Sequence, residues 1–411
     1  MQTNQRIDGQ RLWSTLMAMA EIGATPKGGV KRLTLTDVDR RGRDRFAEWC
    51  TALGLAVRVD EIGNMFARRE GRDPTRAPVL MGSHLDSQPS GGKFDGALGV
   101  IAGLEVMRSL NDLNITTEAP IELVNWTDEE GSRFGHSLMG SGTWAGIFPL
   151  EKTYALTDAQ GVRVDTALDE IGYRGLEPAK PFAADAYFEL HIEQGPILER
   201  EGRRIGIVTG AQAQVWYDAR IEGQDSHAGT TPPSNRRDAL LATAGVVELV
   251  DRIMRARGED GRGTVGMLQV IPNSRNVVPG ETRFSVEFRH PDFAEVQAMA
   301  AEFEAQATAL VAPCTWHLTE LFRLDAQPFD PGCIGLVEDA ATRLGLPAQR
   351  IVSGAGHDAV YVARHVPTAM IFTPCKHGLS HNEAESIEPE EAEAGCQVLF
   401  QAVLARANRA I

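Results

Sequence analysis

APVLMGSHLDSQPSGGKFDGALGVIAGLEVMRSL, residues 77–110, runs from a short apolar segment through a polar loop into a longer apolar segment. Residues 77–82 form a compact apolar run that stops at polar residues, as a buried strand does. Residues 96–110 repeat apolar side chains at helical spacing, with Asp95 at the start. The same alternation extends on both sides. Residues 9–24 and 36–53 have helical spacing, and 55–59 and 64–68 read as short strands. Further strands are expected at 121–126 and 186–191. Strands separated by helices predict an α/β fold with a mixed, mostly parallel sheet and helices on both faces.

The pattern changes near residue 205. Residues 208–222 alternate apolar and polar side chains, which predicts a strand with one exposed face. A helix is expected at about 236–257, strands near 263–271 and 281–289, a helix at 292–311 and a strand near 314–322. That order, β-α-β-β-α-β, is the split unit of ferredoxin-like domains. After residue 330 helix–strand alternation returns, with a last buried strand at 366–372 and a closing helix at 388–409. The chain is therefore read as one domain of residues 1–210 and 328–411, with residues 211–327 inserted as an α+β domain.

A formal net charge of −15 over 411 residues argues against nucleic acid as a partner. No apolar run reaches membrane-spanning length, and MQTNQRIDGQRLW lacks the layout of a secretory signal. Cys50, Cys314, Cys333, Cys375 and Cys396 are odd in number and contain no C-x-x-C pair, which suits reduced thiols and a cytoplasmic location.

Polar residues gather where the expected strands end. His84 and Asp86 follow the first buried strand, Asp95 opens the next helix, and Asp128, Glu129 and Glu130 follow Trp126. His191 closes AYFELH, and His381 lies in the loop after TAMIF. Ligands of open α/β sheets bind outside the carboxyl ends of the strands, so four strands deliver imidazole and carboxylate groups to one rim. Such a set without thiolate suits two divalent ions, among them zinc, manganese, cobalt or nickel. Asp95, at a helix start, is suited to bridge such ions. Of the adjacent Glu129 and Glu130, one can bind metal while the other acts as base toward water. Asp86, two residues after His84, can fix the imidazole tautomer.

The stretches GSHLDSQPSGGKFDGALGV (82–100), NWTDEEGSRF (125–134), HIEQGP (191–196) and DSHAGTTP (225–232) occur in that order. PNSRNVVPG (272–280), FRHPD (288–292), GAGHDA (354–359) and GLSHNE (378–383) follow. Together they resemble the N-carbamoyl-L-amino acid hydrolases, which include allantoate amidohydrolase and β-ureidopropionase within the aminoacylase and carboxypeptidase-like superfamily of di-metal amidases. The resemblance implies His84 and His191 on one metal, Glu130 and His381 on the other, and Asp95 between them. It implies Glu129 as general base and His227 as donor to the oxyanion, reaching the active site of a partner subunit in a homodimer. Gln194, Asn276, Arg289 and Gly356 match substrate contacts, with Arg289 on a carboxylate, a role its planar fork suits. The inserted domain would then serve as lid and dimerisation domain. The expected reaction is hydrolysis of the ureido group of an N-carbamoyl-L-amino acid, a small carboxylate substrate. Allantoate and N-carbamoyl-β-alanine are rival substrates. Dipeptidase or aminoacylase activity, or metal-dependent binding without catalysis, are remoter rivals. Relatives often carry proline after SRF, where this chain has Gly135-His136-Ser137, so His136 alters the expected pocket wall.

Blander readings exist for several residues. Arg289 could pair with Glu287 on the sheet. His290, His317, His365 and His377 read as structural, and His357 as either pocket lining or loop support. Glycines 91, 92 and 96 lack a nucleotide-loop arrangement and read as places where backbone passes close to the metals.

Overall fold

Val79–His84 is buried at all six positions because a strand lies on each side of it and helices cover the sheet. The computed structural model describes residues 5–410, so residues 1–4 of the N-terminal stretch read above, and residue 411, lie outside it. Two compact units are present, Met1–Gly210 with Pro328–Ile411, and Ala211–Gln327.

The sheet of the first unit has the order Ala56–Val59, Met65–Arg69, Ile121–Trp126, Val79–His84, Ala186–Ile192, Thr368–Thr373, Ile205–Ala211 and Gln327–Pro328. Ala348–Ser353 also pairs with Ile205–Ala211. The four central strands, Ile121–Trp126 through Thr368–Thr373, are parallel. Outside them the pairing turns antiparallel, at Ala56–Val59 with Met65–Arg69, Met65–Arg69 with Ile121–Trp126, and Thr368–Thr373 with Ile205–Ala211. The expectation of a mostly parallel sheet thus holds for its centre and fails on its flanks. The reason is local: residues 60–64 make a short turn, and a short turn can join only antiparallel neighbours.

The strand expected at 77–82 is displaced, and His84 is its last residue. In register, His84 lies opposite Trp126, and Phe372 opposite His191. The parallel strands therefore end nearly level, which puts the loops that follow them on one rim. Ala97–Asp112 and Pro389–Ala407 are buried on most of their surface. Their side chains share one core with the sheet. Arg43, buried, pairs with Asp39 at 2.8 Å and donates to Gly63 O at 2.7 Å and Thr127 Oγ1 at 3.2 Å. Its guanidinium thereby fixes the residue that follows Trp126.

The single strand expected at 208–222 is two strands. Ile205–Ala211 belongs to the first sheet, and Ala213–Glu222 starts the second, with the chain breaking pattern at Gln212. In the second unit Ala213–Glu222 is followed by helix Ala239–Arg255, strands Arg262–Thr264 and Leu268–Ile271, strand Glu281–His290, helix Phe293–Leu310 and strand Thr315–Leu324. The sheet order is Leu268–Ile271, Glu281–His290, Ala213–Glu222, Thr315–Leu324, with antiparallel pairing. Both helices pack on one face, against Val215, Phe284, Phe288 and their neighbours. The pairing of Thr315–Leu324 slips between Glu320 and Phe322. A separate small pair joins Ser226–His227 to Val277–Val278.

Candidate metal centre

The level strand ends and the loop after the first of them bring His84, Asp95 and His191 together, with one candidate ligand atom from each lying within 4.8 Å of the others. Asp95, Glu130 and His381 meet in the same way. Asp95 is common to both groups. His84, Asp95, Glu129, Glu130 and His191 are buried, whereas the His381 side chain is half exposed.

Hydrogen bonds set the imidazole tautomers. His84 Nδ1 meets the Asp86 carbonyl at 3.1 Å and His191 Nδ1 meets the Ile192 carbonyl at 2.9 Å. A carbonyl only accepts, so each Nδ1 carries the proton and each neutral ring turns an Nε2 lone pair inward. His84 Nε2 is buried without a hydrogen-bond partner, 3.4 Å from Glu129 Oε2 and 3.9 Å from Asp95 Oδ1. His191 Nε2 is 3.1 Å from Asp95 Oδ1, and His381 Nε2 is 3.3 Å from both Asp95 Oδ2 and Glu130 Oε2.

The acidity of these groups follows. Burial pushes the Glu129 carboxyl well above its ordinary value, opposed by His84 and reinforced by Glu130, Asp358 and Asp95. Burial, then Asp95, raises Glu130 to about 7. A hydrogen bond to Asp95 is the main reason that His381 rises to about 9. Burial works against ionised Asp95, yet the close His191 and His381 imidazoles hold it well below the carboxylate range. Carboxylates that hold protons and imidazoles that gain them mark a cluster short of positive charge. The inward lone pair of His84, without a partner, shares that space with carboxylate oxygens, and a donor set of nitrogen and oxygen fits divalent ions.

Asp86 does more than face His84, whose Nδ1 lies 3.6 Å from its Oδ1. It accepts from the backbone N–H of Glu129 at 3.3 Å and of Glu130 at 3.2 Å. One buried carboxylate thus orients an imidazole and holds both glutamates. Gly96, at φ 63°, leaves room for the His84 ring, which an added Cβ would meet at 2.3 Å. At Gly92 a Cβ would meet Glu385 at 2.0 Å. Gly96→Ala should therefore displace His84, lower the melting temperature by a strain of about 1–3 kcal/mol and cut metal content. Unchanged melting and metal content would refute that account of Gly96.

Gln194 Nε2 donates to Asp95 Oδ2 at 2.9 Å, so its amide lies on the shared carboxylate. Gly356 lies in the loop before the short helix Asp358–Val362. His357 is buried, bonds Ser353 Oγ at 3.0 Å and packs its ring 4.5 Å from that of His191, which makes it loop support as well as a wall beside the cluster. His136 is partly buried and packs edge-on against Phe148 at 4.1 Å.

In the second unit, His227 lies opposite Val277, beside Asn276. Its Nδ1 accepts from Gly229 N at 3.0 Å and Thr230 N at 3.2 Å, which leaves the proton of the neutral ring on Nε2. Arg289 pairs with Glu287 at 2.8 Å, the surface pairing weighed from sequence, and lies 5.7 Å from the centre of the Trp216 ring.

Sequence reasoning missed three groups. Glu385 accepts from Phe94 N at 3.0 Å and Asp95 N at 3.1 Å, and shares Ser380 Oγ with Asp95. Gln88 donates through its backbone and side chain to Glu130, at 3.1 and 2.7 Å. Glu189 is buried behind His191 and accepts from Ser83 Oγ at 2.7 Å and Ala359 N at 3.0 Å. An acid inside the apolar run AYFELH was the available signal for Glu189, and proximity to GLSHNE the signal for Glu385.

A two-unit α/β chain whose sheet rim gathers imidazoles and carboxylates has the donor set of a divalent-metal site. Residues 80–405 match peptidase family M20/M25/M40. The N-carbamoyl-L-amino-acid amidohydrolase of Rhizobium meliloti is 46% identical over 409 residues, 98% of each chain. The allantoate amidohydrolase of Bacillus subtilis is 32% identical over 93% of each chain. The crystal structure of an amidase of the hydantoinase/carbamoylase family from Burkholderia multivorans superposes with a TM-score of 0.92 at 51% identity, covering 99% of this chain and 100% of that one. The chain belongs to peptidase family M20/M25/M40, as an amidohydrolase of that family.

Proposed function

We propose that the chain hydrolyses the ureido group of an N-carbamoyl-L-amino acid to the free amino acid, ammonia and carbon dioxide. The observation that carries this reading is the meeting of two potential ligand groups on Asp95 with Glu129 beside them. The relative from Rhizobium meliloti, similar over nearly its full length, supports the ureido substrate.

His84 and His191 would hold one divalent ion, Glu130 and His381 a second, and Asp95 both. When bound, such a pair lowers the pKa of water and polarises a carbonyl. Glu129 takes a proton from the attacking water and returns it to the departing nitrogen. His227, with its proton on Nε2, donates to the oxyanion. Asp86 keeps His84 in one tautomer and Glu129 in place. Gln194, Asn276, Arg289 and Gly356 hold the substrate, Arg289 by its carboxylate, which must then compete with Glu287. Ammonia leaves, and the remaining carbamate loses carbon dioxide to free the amine. We further infer a homodimer in which the partner subunit receives His227, with the second unit as lid and dimerisation domain. A cytoplasmic location fits the five free cysteines. Among the described residues no helix is long and apolar enough to cross a membrane.

The relative named allantoate amidohydrolase supports a second reading of the same site. A metal-reconstituted screen by ammonia release separates the two. An N-carbamoyl-L-α-amino acid should exceed N-carbamoyl-β-alanine and allantoate by roughly tenfold or more in kcat/KM, about 1.4 kcal/mol of transition-state binding. A best rate on allantoate would replace the first reading with the second.

A further inference from the structure

The two carboxylate oxygens of Asp95 face different groups. Oδ1 lies 3.1 Å from His191 Nε2 and 3.9 Å from His84 Nε2, whereas Oδ2 lies 3.3 Å from His381 Nε2. A small rotation of this side chain therefore favours one group over the other. Local structure restrains it weakly. The next residue, Gly96, is the N-cap of helix Ala97–Asp112 and has no side chain to accept from amides at the helix entrance. His381 is held no better by its own loop. It is half exposed and stands at φ 53°, a region that residues with a Cβ rarely occupy. Both ligands need restraint from elsewhere.

Glu385 supplies it to both. The residue is buried, and its Oε1 accepts from Phe94 N at 3.0 Å and Asp95 N at 3.1 Å, the amides that lead into the helix. A carboxylate at that end also meets the positive pole of the helix. Oε2 accepts from Ser380 Oγ at 2.9 Å, and the same hydroxyl lies 3.0 Å from Asp95 Oδ2. Gln194 Nε2 completes the junction, 2.9 Å from Asp95 Oδ2 and 3.3 Å from Ser380 Oγ. One carboxylate thus ties residues 94–95 to residues 380–385. The tie is lopsided. Through Ser380 it reaches the Asp95 oxygen that faces His381, and Ser380 adjoins His381 in the chain.

We propose that Glu385 is a positioning residue for the ion of the Glu130–His381 group, clamping Asp95 Oδ2 and the His381 loop into one arrangement through Ser380. This rests on the reading of His84, Asp95, Glu130, His191 and His381 as metal ligands. Partners that orient a ligand change metal affinity by roughly 10–100-fold. Because this clamp acts on Oδ2, its loss weakens one ion and spares the one on the His84–His191 side.

Calorimetric titration of the metal-free full chain with Mn²⁺ tests this, and His381→Ala marks which binding step belongs to the Glu130–His381 group. Glu385→Ala should weaken that step roughly 10–100-fold and the other by less than about threefold. In the His381→Ala background, Glu385→Ala should change the remaining step little. Glu385→Gln keeps an acceptor for the two amides, and its Nε2–H donates to Ser380 Oγ, which turns the hydroxyl proton toward Asp95. It should therefore stay within roughly threefold of wild type at both steps. Ser380→Ala leaves Phe94 N and Asp95 N satisfied but breaks the link to Oδ2, and should reproduce the selective loss. It decides the matter if Glu385→Ala does not fold.

Equal weakening of both steps would overturn the proposal, as would an effect confined to the melting temperature of the metal-free chain. A loss in Glu385→Ala that Ser380→Ala does not share would overturn the route through Ser380 and the proposal with it. A glutamine variant as weak as the alanine variant would make charge the cause and overturn the clamp. A wild type that takes up no divalent ion would remove the ligand reading together with the proposal. A wild type that binds two ions, with variants that bind them equally well, removes only the proposal.

Discussion

Glu129→Gln is expected to retain wild-type metal content and to lose turnover by roughly 10²–10⁴-fold, the contribution of a well-placed general base. The backbone of residue 129 is held by Asp86, so the amide will occupy the site of the carboxylate without moving the loop. What disappears is the ability to accept a proton from water and pass it on. Metal analysis, melting temperature and kcat measured on one preparation separate this from damage to the fold. Full activity in the variant would remove Glu129 from the mechanism.

Asp95→Asn should have an effect at least as large through a different route. Asp95 is the one residue common to both the His84–His191 and the Glu130–His381 groups. It also receives Gln194 Nε2 and contacts Ser380 Oγ. Without its charge both clusters lose their shared ligand, so metal content should fall for two ions together and activity by roughly 10³-fold or more. A variant that keeps one tightly bound ion per chain, or that works at wild-type rate, would show that Asp95 does not join the two groups. Chelation of the wild type should reproduce the loss and added divalent ion should reverse it, whereas Asp95→Asn should not recover.

The central strands were legible in the sequence because burial on both faces leaves a short apolar run, as in residues 77–82. Convergence of the site was legible for a related reason, since His84, Glu130, His191 and His381 close or follow strands and Asp95 opens the helix after one. The helices Ala97–Asp112 and Asp37–Ala52 begin and end within two residues of expectation. The errors have physical causes. Periodicity cannot report which sheet a strand joins, so 208–222 read as one strand although it divides at Gln212 between two sheets. The bulge at Leu321 was invisible because it violates the alternation used to find the strand. Helices Met139–Trp144 and Leu150–Tyr154 are too short for a 3.6-residue period to emerge. Substrate-contact assignments for Asn276 and Arg289 came from resemblance, because neither residue type announces a ligand by itself.

The sheet order has a consequence for synthesis. Thr368–Thr373 sits between Ala186–Ile192 and Ile205–Ala211, which precede it by more than 150 residues of chain. During translation those two strands must wait, each with an unpaired edge, while the whole of Ala211–Gln327 emerges and can fold as a unit of its own. Ribosomes that stall before Thr368 release a protein whose main sheet is split down the middle and whose last imidazole, His381, has not been made. Such fragments should be the aggregating species in heterologous expression, and their yield should depend on the speed at which the final stretch of message is read.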